Sequence, residues 1–224
     1  MKRTKLKDRK IPTYTKGEEI FNMVSHIVGG GLGVIALISC TIVSLIHKNY
    51  YGLVSGIVYG ISMIVLYTMS SIYHGLKPDR ISKKIFQILD HCSIFLLIAG
   101  SYTPFALCTI RNVDEFSGWL IFGITWGLTI IGIILNAIDL KKYKVFSMIC
   151  YLAMGWCIIL KINILLEALA TPGLILLLIG GIVYTIGAIF YGFGKKCKYI
   201  HSVFHLFILL GSLLQFFAII LYVM

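Results

Sequence analysis

Two histidines near the carboxyl terminus have a spacing that suits metal binding. His201 and His205 are four residues apart, so on an α-helix their imidazoles project from nearly the same side, one turn apart. His74 stands at the end of another apolar segment and adds a third imidazole. Three neutral imidazoles with one open position form the arrangement that catalytic Zn²⁺ favours, whereas an isolated pair also fits a helix cap or a lipid-headgroup contact. We predict a Zn²⁺ site formed by His74, His201 and His205.

Asp90 and Ser70 are the candidates for catalytic partners of this metal. Asp90 is a carboxylate inside an apolar segment, where an ionisable group is costly and often functional. It could act as general base for the zinc-bound water or complete the ligand set, or it could form an ion pair with a neighbouring imidazole or loop cation. Ser70 lies four residues before His74 and shares its helical face. It could donate a hydrogen bond to a group around the metal or help to polarise a substrate carbonyl, or it could bond the carbonyl of its own preceding turn.

A second polar stripe lies near the start of the first apolar segment. Glu19, Asn22 and His26 occupy positions i, i+3 and i+7, which share one helical face. This face could line the same cavity, but we favour hydrogen bonds between helices. His91 lies about 100° around the helix from Asp90 and is assigned to packing or a headgroup contact.

The composition indicates a membrane protein. Of 224 residues, 58% are hydrophobic and 13% are charged, whereas a soluble domain has about 25% charged residues. The mean hydropathy is +0.92. These values exclude a secreted disulfide scaffold, a disordered regulator and a nucleic-acid-binding domain, and we predict no nucleic-acid partner.

Apolar runs long enough to span a bilayer occur seven times. The predicted fold is therefore an all-α bundle of seven transmembrane helices, with a basic tail over residues 1–19 and a single domain over residues 20–224. The predicted spans are Ile20–Ile46, Tyr50–His74, Ile85–Ile110, Gly118–Ile138, Val145–Leu160, Pro172–Phe193 and His201–Met224.

The basic residues alternate between the segments that separate these spans. The tail and every second loop carry seven, four, three and three Lys and Arg residues, seventeen in all, whereas the other loops carry three. By the positive-inside rule the amino terminus is cytoplasmic and the carboxyl terminus lies outside. This orientation places His74, Asp90, His201 and His205 in the cytoplasmic half of the membrane.

Five short motifs are spread along the whole chain. They are Gly17-Glu18-Glu19-Ile20-Phe21-Asn22 with Ser25-His26, Ser70-Ser71-Ile72-Tyr73-His74, Leu89-Asp90-His91-Cys92-Ser93-Ile94-Phe95, Gly100-Ser101-Tyr102-Thr103-Pro104-Phe105 and His201-Ser202-Val203-Phe204-His205. Together they resemble the bacterial hemolysin III proteins, within the progestin and adipoQ receptor family. The resemblance implies a seven-helix bundle in a bacterial plasma membrane, in which His74, His201 and His205 bind zinc and Asp90 contacts the zinc-bound water. The chain also resembles the wider superfamily that includes alkaline ceramidases.

Three functions are compatible with this pattern. The resemblance implies a zinc-dependent hydrolase of lipid amide or ester bonds, with membrane lipids as partners and a fatty-acyl substrate. The second function is that of a non-enzymatic sensor of membrane lipids with a structural zinc. The third is that of a cytolytic protein, as the family name suggests. A retinal pump is excluded because the last helix has no Lys for a Schiff base. The sequence does not define an oligomeric state.

Gln215 departs from the family pattern, which usually has a further His in the last helix. At 1.5 Å per residue it lies about 15 Å along the helix from His205, so it cannot bind the same metal.

Overall fold

Seven long helices make up most of the chain. The structure is a computed structural model, and it describes residues 4–193 and 197–224. Seven helices within these residues are long and apolar enough to cross a membrane, and no β-strand occurs among them. The predicted all-α seven-helix bundle is confirmed. The helices are α1 (Lys16–Ile46), α2 (Tyr50–Gly75), α3 (Ile81–Val113), α4 (Glu115–Asp139), α5 (Lys144–Ala168), α6 (Thr171–Gly192) and α7 (Ile200–Tyr222).

Helix α3 is the most enclosed of the seven. Of its most apolar stretch, 83% is buried, whereas the corresponding value for the other helices is between 22% and 50%. Large apolar side chains such as Ile46, Phe116 and Val145 are exposed on the outer surface. An apolar surface of this extent is unfavourable in water but matches the hydrocarbon core of a bilayer.

The helix order brings the start of α1 beside the start of α7. Helix α1 packs along α2 and α7, α2 packs on α3, and α6 packs on α7. Thr15 and Glu18 form a reciprocal capping box that starts α1. The second Glu18 oxygen accepts a hydrogen bond of 2.7 Å from the backbone N–H of Tyr199, immediately before α7. The polar residues of the first turns of α1 and α7 therefore face one another.

Four of the predicted spans are at least four residues shorter than the helices. The first, predicted over Ile20–Ile46, and the fourth, predicted over Gly118–Ile138, each lack about one turn of α1 and α4. The third, predicted over Ile85–Ile110, and the fifth, predicted over Val145–Leu160, differ most, because α3 covers Ile81–Val113 and α5 covers Lys144–Ala168. The predicted boundaries stop at charged residues, but Lys83 lies inside α3 and Lys161 inside α5. Lys83 is buried and forms an ion pair with Glu19 of α1, whereas Lys161 is half-buried and its long side chain can extend its charge away from an apolar environment. A single Lys therefore does not end either helix. The helix count is unaffected, and the orientation of the termini stays a prediction.

The described part of the amino-terminal tail packs over one end of the bundle. The backbone N–H of Thr4 donates to the Asp139 carboxylate at the end of α4 (2.8 Å). Lys84 of α3 donates to the carbonyl oxygen of Lys7 (2.6 Å). Arg9 is buried. The tail thus contacts the bundle on the same side as His74 and His201.

Gly60 allows α2 to approach α1 closely. A Cβ atom at this position would lie 2.5 Å from the Leu37 Cα, a backbone atom that can move only with its helix. We expect Gly60→Ala to destabilise the protein by about 1–3 kcal/mol, the usual range for overpacking. Thermal unfolding in detergent measures the effect.

Gly31→Ala is the matched control for this prediction. No atom of the described residues outside its own helix turn lies within 4 Å of a Cβ atom at Gly31. The higher helix propensity of alanine is therefore the main effect, and the stability should hold or rise. Equal stability of the two variants would show that α1 and α2 do not pack as described.

Candidate metal centre

The three predicted metal-binding histidines come together in the structure. One ring nitrogen of each of His74, His201 and His205 lies within 4.8 Å of the others. The Nε2 atoms of His201 and His205 are 3.1 Å apart. All three side chains are buried. The end of α2 and the first two turns of α7 thus place three imidazoles around one point.

The donor atoms of this cluster fit a metal ion. The Nε2 atom of His74 is buried and has no hydrogen-bond partner in the described part of the chain. The Nε2 atoms of His201 and His205 lie within hydrogen-bond distance of each other. A buried lone pair without a donor is unfavourable, and a cation shared by three imidazoles removes that cost. This group could hold a metal ion, and three nitrogen ligands are compatible with zinc.

Glu19 orients His74 through its other ring nitrogen. One Glu19 oxygen lies 2.6 Å from His74 Nδ1, and the other accepts a 2.6 Å hydrogen bond from Lys83. Lys83 also donates to the carbonyl oxygen of Leu76. A carboxylate at Nδ1 holds the proton on that nitrogen, so that the Nε2 lone pair is available to the cluster.

Asn22 connects the same cluster to α7. Its amide oxygen accepts a 2.7 Å hydrogen bond from Ser202, the residue after His201, and its Nδ2 lies 3.5 Å from His74 Nδ1. The hydrogen bonds between helices expected of Glu19 and Asn22 are therefore present. Their effect on the orientation of His74 could not be inferred from the sequence, because it depends on the helix order.

His26 stacks against this cluster without belonging to it. Its ring lies 3.8 Å from the His205 ring, between centroids, at an angle of 17°. Both of its ring nitrogens are buried and have no hydrogen-bond partner among the described residues. His26 therefore lines the cavity as a wall of the site, and the hydrogen bond between helices that we expected of it is not found among the described residues.

Asp90 lies beside Ser70 and His91. The Asp90 carboxylate is 3.4 Å from His91 Nδ1, and His91 Nε2 is 3.0 Å from the Tyr191 hydroxyl. Ser70 is buried and lies near Asp90 on the cavity lining. The assignment of His91 to packing or a headgroup misses this contact, since neighbouring side chains can converge even though their Cα–Cβ bonds diverge by about 100°. The Lys83 amine, a candidate partner of Asp90, pairs with Glu19 instead.

A long cavity begins at this cluster. Its volume is about 560 Å³, and its lining includes Ser70, Asp90, His201 and His205 at one end and Gln215 at the other. Most of the remaining lining is apolar. An apolar cavity with polar groups at one end suits a ligand with an acyl chain and a polar head.

Tyr14 of the tail covers the histidine end of the cavity. Its ring stacks on His201 with 5.0 Å between centroids and an angle of 17°. Burial raises the pKa of Tyr14 well above its usual range, so the phenol stays protonated at neutral pH. It therefore offers an uncharged hydroxyl at the cavity mouth.

The chain is similar to several proteins across most of its length. Residues 14–216 match the family model described as Haemolysin-III related. The chain is 41% identical over 211 residues to Hemolysin-3 of Bacillus cereus, with 92% of each chain covered. It is 35% identical over 209 residues to the Hemolysin-3 homolog of Bacillus subtilis strain 168, with 93% of this chain and 96% of that protein covered. It is 24% identical over 189 residues to the human Monocyte to macrophage differentiation factor, with 82% of this chain and 76% of that protein covered.

Proposed function

The chain belongs to the Haemolysin-III related family of multi-pass membrane proteins, and from this we propose that it is a zinc-dependent hydrolase of lipid amide or ester bonds. The observation that carries the proposal is the group of three buried imidazoles beside a carboxylate, at one end of an apolar cavity. A soluble substrate would not need such a cavity, whereas an acyl chain fits it. The proposed role of the protein is in membrane lipid homeostasis.

Each residue of the site has a distinct task in this proposal. His74, His201 and His205 hold the zinc, and zinc when bound supplies a Lewis acid that polarises a carbonyl and lowers the pKa of water. Asp90 accepts the proton of the attacking water and passes it to the leaving nitrogen or oxygen. Ser70 hydrogen-bonds the carboxylate or the substrate carbonyl. Water adds to the acyl carbon, the C–N or C–O bond breaks, and the products are a fatty acid and an amine or alcohol.

The basic residues at the cavity mouth favour a substrate whose head lies at a charged surface. Arg9, Lys10, Lys141 and Lys144 all contribute to the cavity lining, with Asp8 as an acidic neighbour. An excess of positive charge attracts an anionic or strongly polar headgroup. The acyl chain then extends past the histidines into the apolar part of the cavity.

A non-enzymatic lipid sensor with a structural zinc is the second candidate. The observation that favours it is the number of helices joined at the site. His74 comes from α2 and His201 and His205 from α7, while Glu19 of α1 holds His74. A metal ion here ties these helices together whether or not any bond is hydrolysed.

Metal content and lipid turnover separate the two candidates. We expect the detergent-purified protein to contain about one zinc per chain and to release fatty acid from one lipid class in a panel of ceramides, N-acyl amides and phospholipids. Elemental analysis and mass spectrometry of the lipids provide the two readouts. Absence of zinc would contradict both candidates. Stoichiometric zinc without turnover of any lipid in the panel would favour the sensor.

The orientation of the bundle is tested with a reporter fused after Met224. Seventeen of twenty Lys and Arg residues lie in the tail and alternate loops assigned to the cytoplasm, so the carboxyl terminus should lie outside. An alkaline phosphatase fusion should then be active and a fluorescent protein that folds only in the cytoplasm should be dark. The reverse pattern would overturn the orientation and with it the cytoplasmic location of the histidines.

A further inference from the structure

Gln215 of α7 lies at the end of the cavity opposite the histidines. It borders the cavity, and its side chain is only 6% exposed. Its Nε2 donates a 3.0 Å hydrogen bond to the carbonyl oxygen of Leu177 in α6. Because a carbonyl can only accept, this contact defines which end of the amide is the nitrogen. The amide oxygen is therefore the atom of this side chain whose hydrogen-bond partner remains to be identified.

The amide oxygen of Gln215 is buried and has no hydrogen-bond partner in the described part of the chain. Other polar side chains that line the cavity away from the histidines are paired within the protein. The pairs are Ser101 with Ile98 O, Tyr102 with Gly155 O, Tyr184 with Ser212, Thr185 with Gly181 O and Trp156 with Thr185. Among the described residues, Gln215 is thus the polar group at this end of the cavity that has an atom without a hydrogen-bond partner.

The available partner must come from the cavity and must be uncharged. Gln215 is packed against α6, where a Cβ atom on Gly180 would lie 2.7 Å from its Nε2. Leu177 and Ile158 provide apolar walls. None of the described residues that line this part of the cavity carries a charge that would favour an ionised ligand group. A hydroxyl, by contrast, can donate to an amide oxygen without a counter-charge.

We propose that Gln215 is a specificity-determining residue that binds a hydroxyl group in the distal part of a ligand's acyl chain. The inference rests on the proposed function, since it assumes that an acyl chain lies in the cavity. Gln215 is ten residues from His205, which corresponds to about 15 Å along the helix. The preferred ligand is a long-chain acyl group with a hydroxyl well along the chain.

Binding of two fatty acids that differ only in this hydroxyl tests the proposal. The probes are stearate and stearate with a hydroxyl on its twelfth carbon, measured in competition on the intact purified protein by native mass spectrometry. We expect the wild type to bind the hydroxylated acid about fivefold more tightly, as one net hydrogen bond provides. Gln215→Met has a similar volume but no acceptor oxygen, and it should remove the preference without weakening the binding of stearate.

Two further variants control for volume and folding. Ile158→Val shortens a buried side chain of the cavity wall without changing its polarity. This variant should retain the preference for the hydroxylated acid. Gly180→Ala places a methyl group against the Gln215 amide and should reduce the preference, which keeps the test valid if Gln215→Met does not fold.

Each other outcome counts against the proposal. Equal binding of the two acids by the wild type, or a preference that persists in Gln215→Met, would overturn the role of Gln215 and leave the proposed function intact. Failure of both acids to bind would overturn the inference together with the acyl-binding cavity of the proposed function.

Discussion

Replacing His205 with Ala is expected to abolish stoichiometric metal binding. His205 contributes a buried nitrogen 3.1 Å from that of His201, and His74 provides the third. Two imidazoles from different helices cannot replace a three-nitrogen site. Removal of a residue that only orients a metal ligand typically lowers metal affinity by about 10–100-fold. Removal of His205, a ligand itself, should lower it by more. Elemental analysis of the purified variant, after dialysis against a weak chelator, measures the result.

His26→Ala is the matched control for this variant. His26 stacks on His205 but is outside the group of three, so its replacement changes the local packing and should leave the metal bound. Glu19→Gln should give an intermediate result, since Glu19 contacts His74 at Nδ1 and not at the nitrogen that faces the cluster. Metal retained in His205→Ala, or lost equally in His205→Ala and His26→Ala, would contradict the three-histidine site.

Asp90→Asn is expected to lower lipid hydrolysis by about 10²–10⁴-fold, the usual contribution of a positioned general base. The amide retains the size of the carboxylate but cannot accept the proton of the attacking water. The metal should stay bound, because Asp90 is outside the group of three nitrogen donors. Turnover of the preferred lipid and metal content are measured on the same preparation.

Glu167→Gln makes the same chemical change at an exposed position near the end of α5 and should be fully active. Wild-type turnover in Asp90→Asn would remove Asp90 from the reaction. Loss of zinc together with activity would instead assign Asp90 to the ligand set, the alternative that the sequence left open.

The seven-helix architecture and the main residues of the site could be predicted from the sequence because they depend on local patterns. Apolar runs of about 20 residues directly predict transmembrane helices. The spacing of His201 and His205 specifies a common face within one helix, whatever surrounds that helix. His74 and Asp90 are recognisable for a similar reason, since an ionisable group in an apolar run is costly wherever the run packs.

The helix ends were less predictable. A single charged residue in an apolar sequence resembles the end of a transmembrane helix. Lys83 is nevertheless buried inside α3, because Glu19 of α1 neutralises its charge. That partner is 64 residues away in the chain. Boundaries that depend on such pairs become visible only when the helices are packed.

The sequence by itself determined the membrane class, the helix count and the candidate metal ligands. Tertiary structure decided that Glu19 orients His74, that His91 contacts Asp90, and that the cavity extends from the histidines to Gln215. The physical reason is the range of the interactions. Hydrophobic runs and helical spacing act within one segment, whereas a hydrogen bond of 2.6 Å or the shape of a cavity depends on how several helices pack together.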